Sequence, residues 1–172
     1  MRRARFIHPK GTTVTQRLNA MQQSPELFKK LVEYSMLAAK GGLEGPLLHL
    51  LEIRASQLNG CAFCLDMHIK QAKIHGEGEL RLHHVAIWRE SALFNERERA
   101  ALAWTEVLTQ LPAHGVPDAA YEAARAQFSE EELVALTHNI MGINAWNRLN
   151  VAFSTTPGSG DMAFGLDKAQ FA

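Results

Sequence analysis

The stretch Ser129-Glu130-Glu131-Glu132 followed by LVALTHNIMGINAWNRLNVAF sets the strongest limit on how this chain folds. Ser129 and Glu132 match a capping box, in which each side chain satisfies the other's orphan backbone amide, so a helix starts here. Leu133, Leu136, Ile140 and Ile143 mark one face of it, and Val134, Met141, Ala145 and Leu149 a second. A helix apolar on two sides needs neighbours on both, which predicts a central position.

The rest of the chain reads the same way. Ser24-Pro25-Glu26 is a helix start, with Ser24 as cap and proline at the first helical position, and Gly41-Gly42 ends that helix. Residues 44–58 are apolar around much of the circumference and predict a second buried helix. Asn59-Gly60 interrupts it, and a new helix runs from Cys61 to His75, ending at Gly76. Leu80 to Trp88 is helical in pattern, Asn95 opens a helix reaching Leu111-Pro112, and Pro117-Asp118 starts a short one ending at Phe128. No run alternates in the manner of a half-buried strand. The expectation is an all-α single domain, a helix bundle with its core at about 20–155, an N-terminal arm over 1–19 and a loosely held tail over 154–172.

At 172 residues, with 47% hydrophobic and 21% charged residues, the chain can bury a real core. Eighteen basic residues balance eighteen acidic ones, so no global field favours nucleic acid or an anionic membrane surface. The basic MRRARFIHPK lacks the apolar run of a secretory signal and reads as a solvated arm. No stretch approaches the roughly 20 apolar residues that span a bilayer. The expected compartment is the cytoplasm, where thiols stay reduced and a close cysteine pair points to catalysis or metal binding rather than to a structural staple.

That pair lies in NGCAFCLDMH, and Cys61 and Cys64 are the only two cysteines. Residues three apart on a helix have Cβ atoms about 5–6 Å apart, slightly beyond the roughly 3.5–4.5 Å of a disulfide, a gap that a small adjustment closes. So short a loop constrains the unfolded chain little, which makes the disulfide a poor staple and a reasonable reversible switch. The helix N-terminus favours a thiolate, most of all at the more N-terminal Cys61. His68, one turn after Cys64, lies on the same face and can exchange a proton with it. Three other readings compete. The cysteines can be simple core residues; zinc can be held by Cys61, Cys64, His68 and a fourth ligand from His49, His83 or His84; a haem attachment is excluded because Leu65, not histidine, follows Cys64.

Residues 47–77, LLHLLEIRASQLNGCAFCLDMHIKQAKIHGE, resemble the core signature of the alkylhydroperoxidase D-like (AhpD-like) branch of the carboxymuconolactone decarboxylase superfamily, through IRAS, the NGC turn, the cysteine pair and MH. The helical pattern from about 20 to 155, including INAWNRLNVAF, is similar to the single-core members. The resemblance implies an all-helical protomer in a homotrimer or hexamer, reducing hydroperoxides with a dithiol that an external reductant protein or small thiol regenerates, with no tightly bound cofactor. It assigns the attack on peroxide to Cys64, resolution to Cys61 and the motif histidine to His68. His49 stands where the family carries a glutamate, which makes it the candidate substitute in the proton relay. Glu52, one turn later, is the nearest carboxylate, at a position that is not the family's. The relay histidine that some relatives carry between the cysteines is absent, since Ala62 and Phe63 stand there. Asp66 and Lys70 are expected on a solvated face, and Trp146, Asn147 and Arg148 in packing. A lactone decarboxylase and a zinc-dependent structural module are the alternative readings.

Overall fold

The computed structural model describes residues 15–169 and 171, and among them no strand occurs. Nine α-helices follow in order: α1 (Ala20–Gln23), α2 (Pro25–Ala38), α3 (Gly45–Leu58), α4 (Ala62–Ile74), α5 (Glu79–His84), α6 (Glu96–Thr109), α7 (Asp118–Arg125), α8 (Glu130–Phe153) and α9 (Asp161–Phe164). The expected all-α bundle is what forms. Capping boxes start α6 at Asn95 with Glu98 and α8 at Ser129 with Glu132.

Helix α3 is the hub, packed against α4, α6 and α8. Its Leu47, Leu51 and Ala55 join Ala101 and Trp104 of α6 and Leu133, Leu136, Ile140 and Ile143 of α8 in one core cluster. Leu50 and Ile53, on its other side, join Ala72, Leu82, Val85, Trp88, Phe94 and Leu102 in a second. Each fully buried aliphatic side chain contributes about 1.5–3 kcal/mol, so a helix that feeds two clusters carries few polar positions. One of them, Arg54, is spent on tying α3 to α6: its guanidinium sits 2.7 Å from Glu106, which also accepts from Trp88 Nε1 at 2.8 Å.

Four expectations are corrected. Ser24 makes no side-chain cap bond; Asn19 caps the short α1 instead, accepting from the amide of Gln22 at 3.1 Å. The 80–88 segment splits into α5 and a 3₁₀ turn over 85–90, where Ile87 leaves helical geometry (φ −123°, ψ 28°). The second face of α8 is not covered by its own chain, since Val134 and Met141 are 57% and 54% exposed. Described residues of the C-terminal segment pack on α4. Lys70 reaches both Asp66 and Asp161 at 2.7 Å, Leu166 is buried, and a short 3₁₀ turn at Leu166–Lys168 packs on α4. Asp66 and Lys70 therefore anchor the C-terminal segment rather than forming a solvated face. The basic MRRARFIHPK lies outside the described residues. No helix among those described is long and apolar enough to cross a membrane.

Candidate active site

The end of α3 and the start of α4 are one continuous device. The amide of Gly60 donates to Gln57 and that of Cys61 to Ser56, at 3.3 and 3.0 Å, the paired bonds that close a helix through a left-handed residue. Gly60 supplies that residue, at φ +63°. Cys61 comes out of the turn in extended geometry (φ −86°, ψ 94°) and becomes the N-cap of α4, its Sγ accepting from the backbone amide of Cys64 at 3.4 Å. The two cysteines that spacing places in a first turn are thus a cap and the third residue of the helix it caps. Both are buried and unbridged.

Polar side chains from α8 surround them. Asn147 is fully buried, donates to Ser56 Oγ at 3.1 Å and accepts from Asn59 Nδ2 at 2.9 Å, while Asn150 Nδ2 donates to Cys64 Sγ at 3.4 Å. Asn59 also donates to Asn144 Oδ1 at 3.0 Å, so the turn carrying Cys61 is held from the far helix. Sequence context offers Asn147 a pocket border, an oligomer contact or, first, packing, and gives Asn150 no role. The available signal is three asparagines, Asn144, Asn147 and Asn150, at three-residue spacing along one side of the helix.

The two thiols do not share their charge evenly. A hydrogen bond from the Cys64 side chain lowers the Cys61 thiol to about 7, against burial, with help from the Cys64 amide, Asn147 and the charge of His68. The same bond and the same burial push Cys64 up. The resting anion belongs on Cys61, as helix-terminus physics predicts, and not on the cysteine to which the resemblance assigns the attack.

His68 is buried and its Nδ1 lies 2.8 Å from Gln71 Oε1 and 3.0 Å from Glu52 Oε2. Both neighbours are acceptors, so Nδ1 carries a proton. Burial works against the imidazolium, but Glu52 and Gln71 outweigh it and hold His68 above its ordinary range. Burial also disfavours the Glu52 carboxylate, yet the charge of His68 and hydrogen bonding bring it down to about 2. The carboxylate that meets the motif histidine is therefore Glu52, one turn after the position the family uses. His49 lies behind it, with Nδ1 3.5 Å from Glu52 Oε2 and Nε2 2.7 Å from His75 Nδ1. His83 is exposed and His84 pairs with Ser91 at 2.9 Å. Among the described residues no group of three or more His, Cys, Asp and Glu is arranged to hold a metal ion.

The family model of the carboxymuconolactone decarboxylase family matches residues 25–107, from the start of α2 through most of α6. The uncharacterized protein YdfG of Bacillus subtilis is 34% identical over 85% of this chain and 99% of its own. This chain belongs to the carboxymuconolactone decarboxylase family. Its AhpD-like character rests on a closer structural relative, a protein of unknown function from Agrobacterium tumefaciens proposed to be the antioxidant defence protein AhpD. That structure superposes with a TM-score of 0.81 at 41% identity, covering 83% of this AhpD-like chain and 98% of the other. A peroxidase-related protein with an AhpD core from Ralstonia eutropha JMP134 shares the fold at TM-score 0.72 and 23% identity, over 81% and 75% of the two chains.

Proposed function

We propose that this AhpD-like protein is a dithiol peroxidase that reduces hydroperoxides through Cys61 and Cys64. The observation that carries the reading is the unbridged pair itself: an N-cap cysteine with its thiol lowered to about 7, a partner sulfur beside it pushed up, and a His68–Glu52 couple whose charge acts on Cys61. The antioxidant-defence role proposed for the Agrobacterium relative supports it. The Cys61 thiolate attacks the distal peroxide oxygen, the O–O bond breaks, and the departing alkoxide takes a proton from His68 to leave as alcohol. The Cys64 sulfur then displaces hydroxide from the Cys61 sulfenic acid, with its own proton completing water, and a disulfide results. An external dithiol restores the pair, in keeping with the reducing cytoplasm proposed as its compartment. A decarboxylase needs neither sulfur.

Thiol titration before and after one equivalent of hydroperoxide checks the central step, and two thiols unchanged by peroxide exclude it. Trapping of sulfenic acid in single variants decides the order of attack. Cys64→Ser retains a trappable Cys61 sulfenic acid at pH 7, whereas Cys61→Ser reacts slowly; the opposite result restores the assignment to Cys64. Lactone decarboxylation that survives in Cys61→Ser/Cys64→Ser would replace the peroxidase reading.

A further inference from the structure

His49 Nδ1 is the one buried side-chain polar atom among the described residues that finds no hydrogen-bond partner. It sits within a series of neighbouring titratable groups. From the dithiol outward these are His68; Glu52, 3.0 Å from His68 Nδ1; His49, whose Nδ1 is 3.5 Å from the same Glu52 oxygen; and His75, whose Nδ1 is 2.7 Å from His49 Nε2. The rings of His49 and His75 stack with centroids 4.9 Å apart. His68 is buried, Glu52 and His49 are part-buried, and His75 is exposed. The link from Glu52 to His49 exceeds hydrogen-bond length by a few tenths of an ångström on a limit of about 3.2 Å.

We infer that Glu52, His49 and His75 form a proton path between the buried dithiol centre and solvent, with His75 as its outer port. The inference rests on the dithiol chemistry proposed above, because that chemistry requires proton traffic. Oxidation of one thiolate and one thiol by a hydroperoxide yields the disulfide, an alcohol and water, and consumes one proton from outside. Reduction of the disulfide by a dithiol regenerates the thiolate and thiol and releases one proton. The sulfurs are buried, so each cycle moves one proton in and one out through protein. A histidine with one nitrogen toward each neighbour accepts on one side and donates on the other, which suits His49 and His75 to this transfer. Glu52 holds the travelling proton only transiently. His49 and His75 touch no reacting atom; they act through Glu52 and His68.

The decisive variant is His75→Ala in the full chain, at an exposed helix end where the fold tolerates the change. At low buffer concentration and fixed pH, its kcat with hydrogen peroxide should fall about tenfold with KM unchanged, less than the roughly 10²–10⁴-fold typical of a group that itself transfers the proton to the reacting atoms. Added imidazole should restore the rate in His75→Ala and leave the parent protein unaffected. The same deficit and rescue should appear when the diamide-oxidised pair is reduced by dithiothreitol, a reaction with no hydroperoxide in it. A His75→Ala protein that matches the parent in that reduction, or whose deficit imidazole leaves untouched, overturns the path. Rescue in the dithiothreitol reaction with a parent protein inert toward peroxide overturns the peroxidase reading alone.

Discussion

Cys61 and Cys64 behave as one acid. The hydrogen bond that lowers Cys61 to about 7 comes first from the Cys64 side chain, so Cys64→Ala should raise the Cys61 thiol toward its ordinary value. The pH dependence of iodoacetamide alkylation reads this directly, with a half-rate point moved upward by about a unit or more. The His68–Glu52 couple makes a second prediction at this scale. Glu52 is held at about 2, so its contribution is complete above the ordinary carboxylate value and is lost as pH falls toward 2. His68 is held above its ordinary value, so its share of the same couple is complete below about 6.5 and fades as pH rises through the raised value. The couple is at full strength between about pH 4.5 and 6.5. Glu52→Gln should cost on the order of 2–3 kcal/mol there, with the difference shrinking toward pH 2. Urea midpoints of both proteins across that range give the answer.

The decisive element is the turn between α3 and α4, which ends one helix and starts the next through three residues, Asn59, Gly60 and Cys61, with Gly60 at its centre. Its left-handed geometry at φ +63° strains any residue with a side chain, while no atom lies within 4 Å of an added Cβ. Gly60→Ala should therefore cost about 1–2 kcal/mol through backbone strain alone, and it should also disturb the Cys61 cap, visible as an upward shift of the alkylation half-point. A change in stability with no change in thiol reactivity would separate the turn from the thiol. The NGC stretch announces this turn in the sequence, since asparagine and glycine are the residues that close helices. The residues that pin the turn from α8, Asn144 and Asn147, give no such signal, because a contact between positions 59 and 147 depends on how α3 and α8 cross.

At the scale of the whole molecule, the apolar surface of α3 is absorbed inside the protomer, and the uncovered apolar surface lies elsewhere. Leu27, Met36 and Leu37 of α2 and Val134, Met141 and Val151 of α8 are each 46–74% exposed. Tyr34, Leu37, Ala38, Val134 and Ala135 line an open groove of about 600 Å³ between the two helices. Self-association through this face, the trimer or hexamer that the resemblance implies, should be broken by Val134→Glu, with sedimentation velocity showing a shift to monomer and circular dichroism showing an intact fold. Periodicity, caps and glycine breaks determined the all-α class and the bounds of the longer helices by themselves, because helix signals are local; the four-residue α1 and α9 and the break after α5 carry no such signal. The sequence also determined the dithiol and the motif histidine, which lie within about two turns at the start of a single helix. Only the tertiary structure decided that Glu52 rather than His49 meets His68, that His75 closes the series to solvent, and that Asn150 reaches Cys64. Those contacts join side chains on different helices, and an offset of one turn, which leaves the local pattern unchanged, decides which carboxylate or imidazole comes within reach.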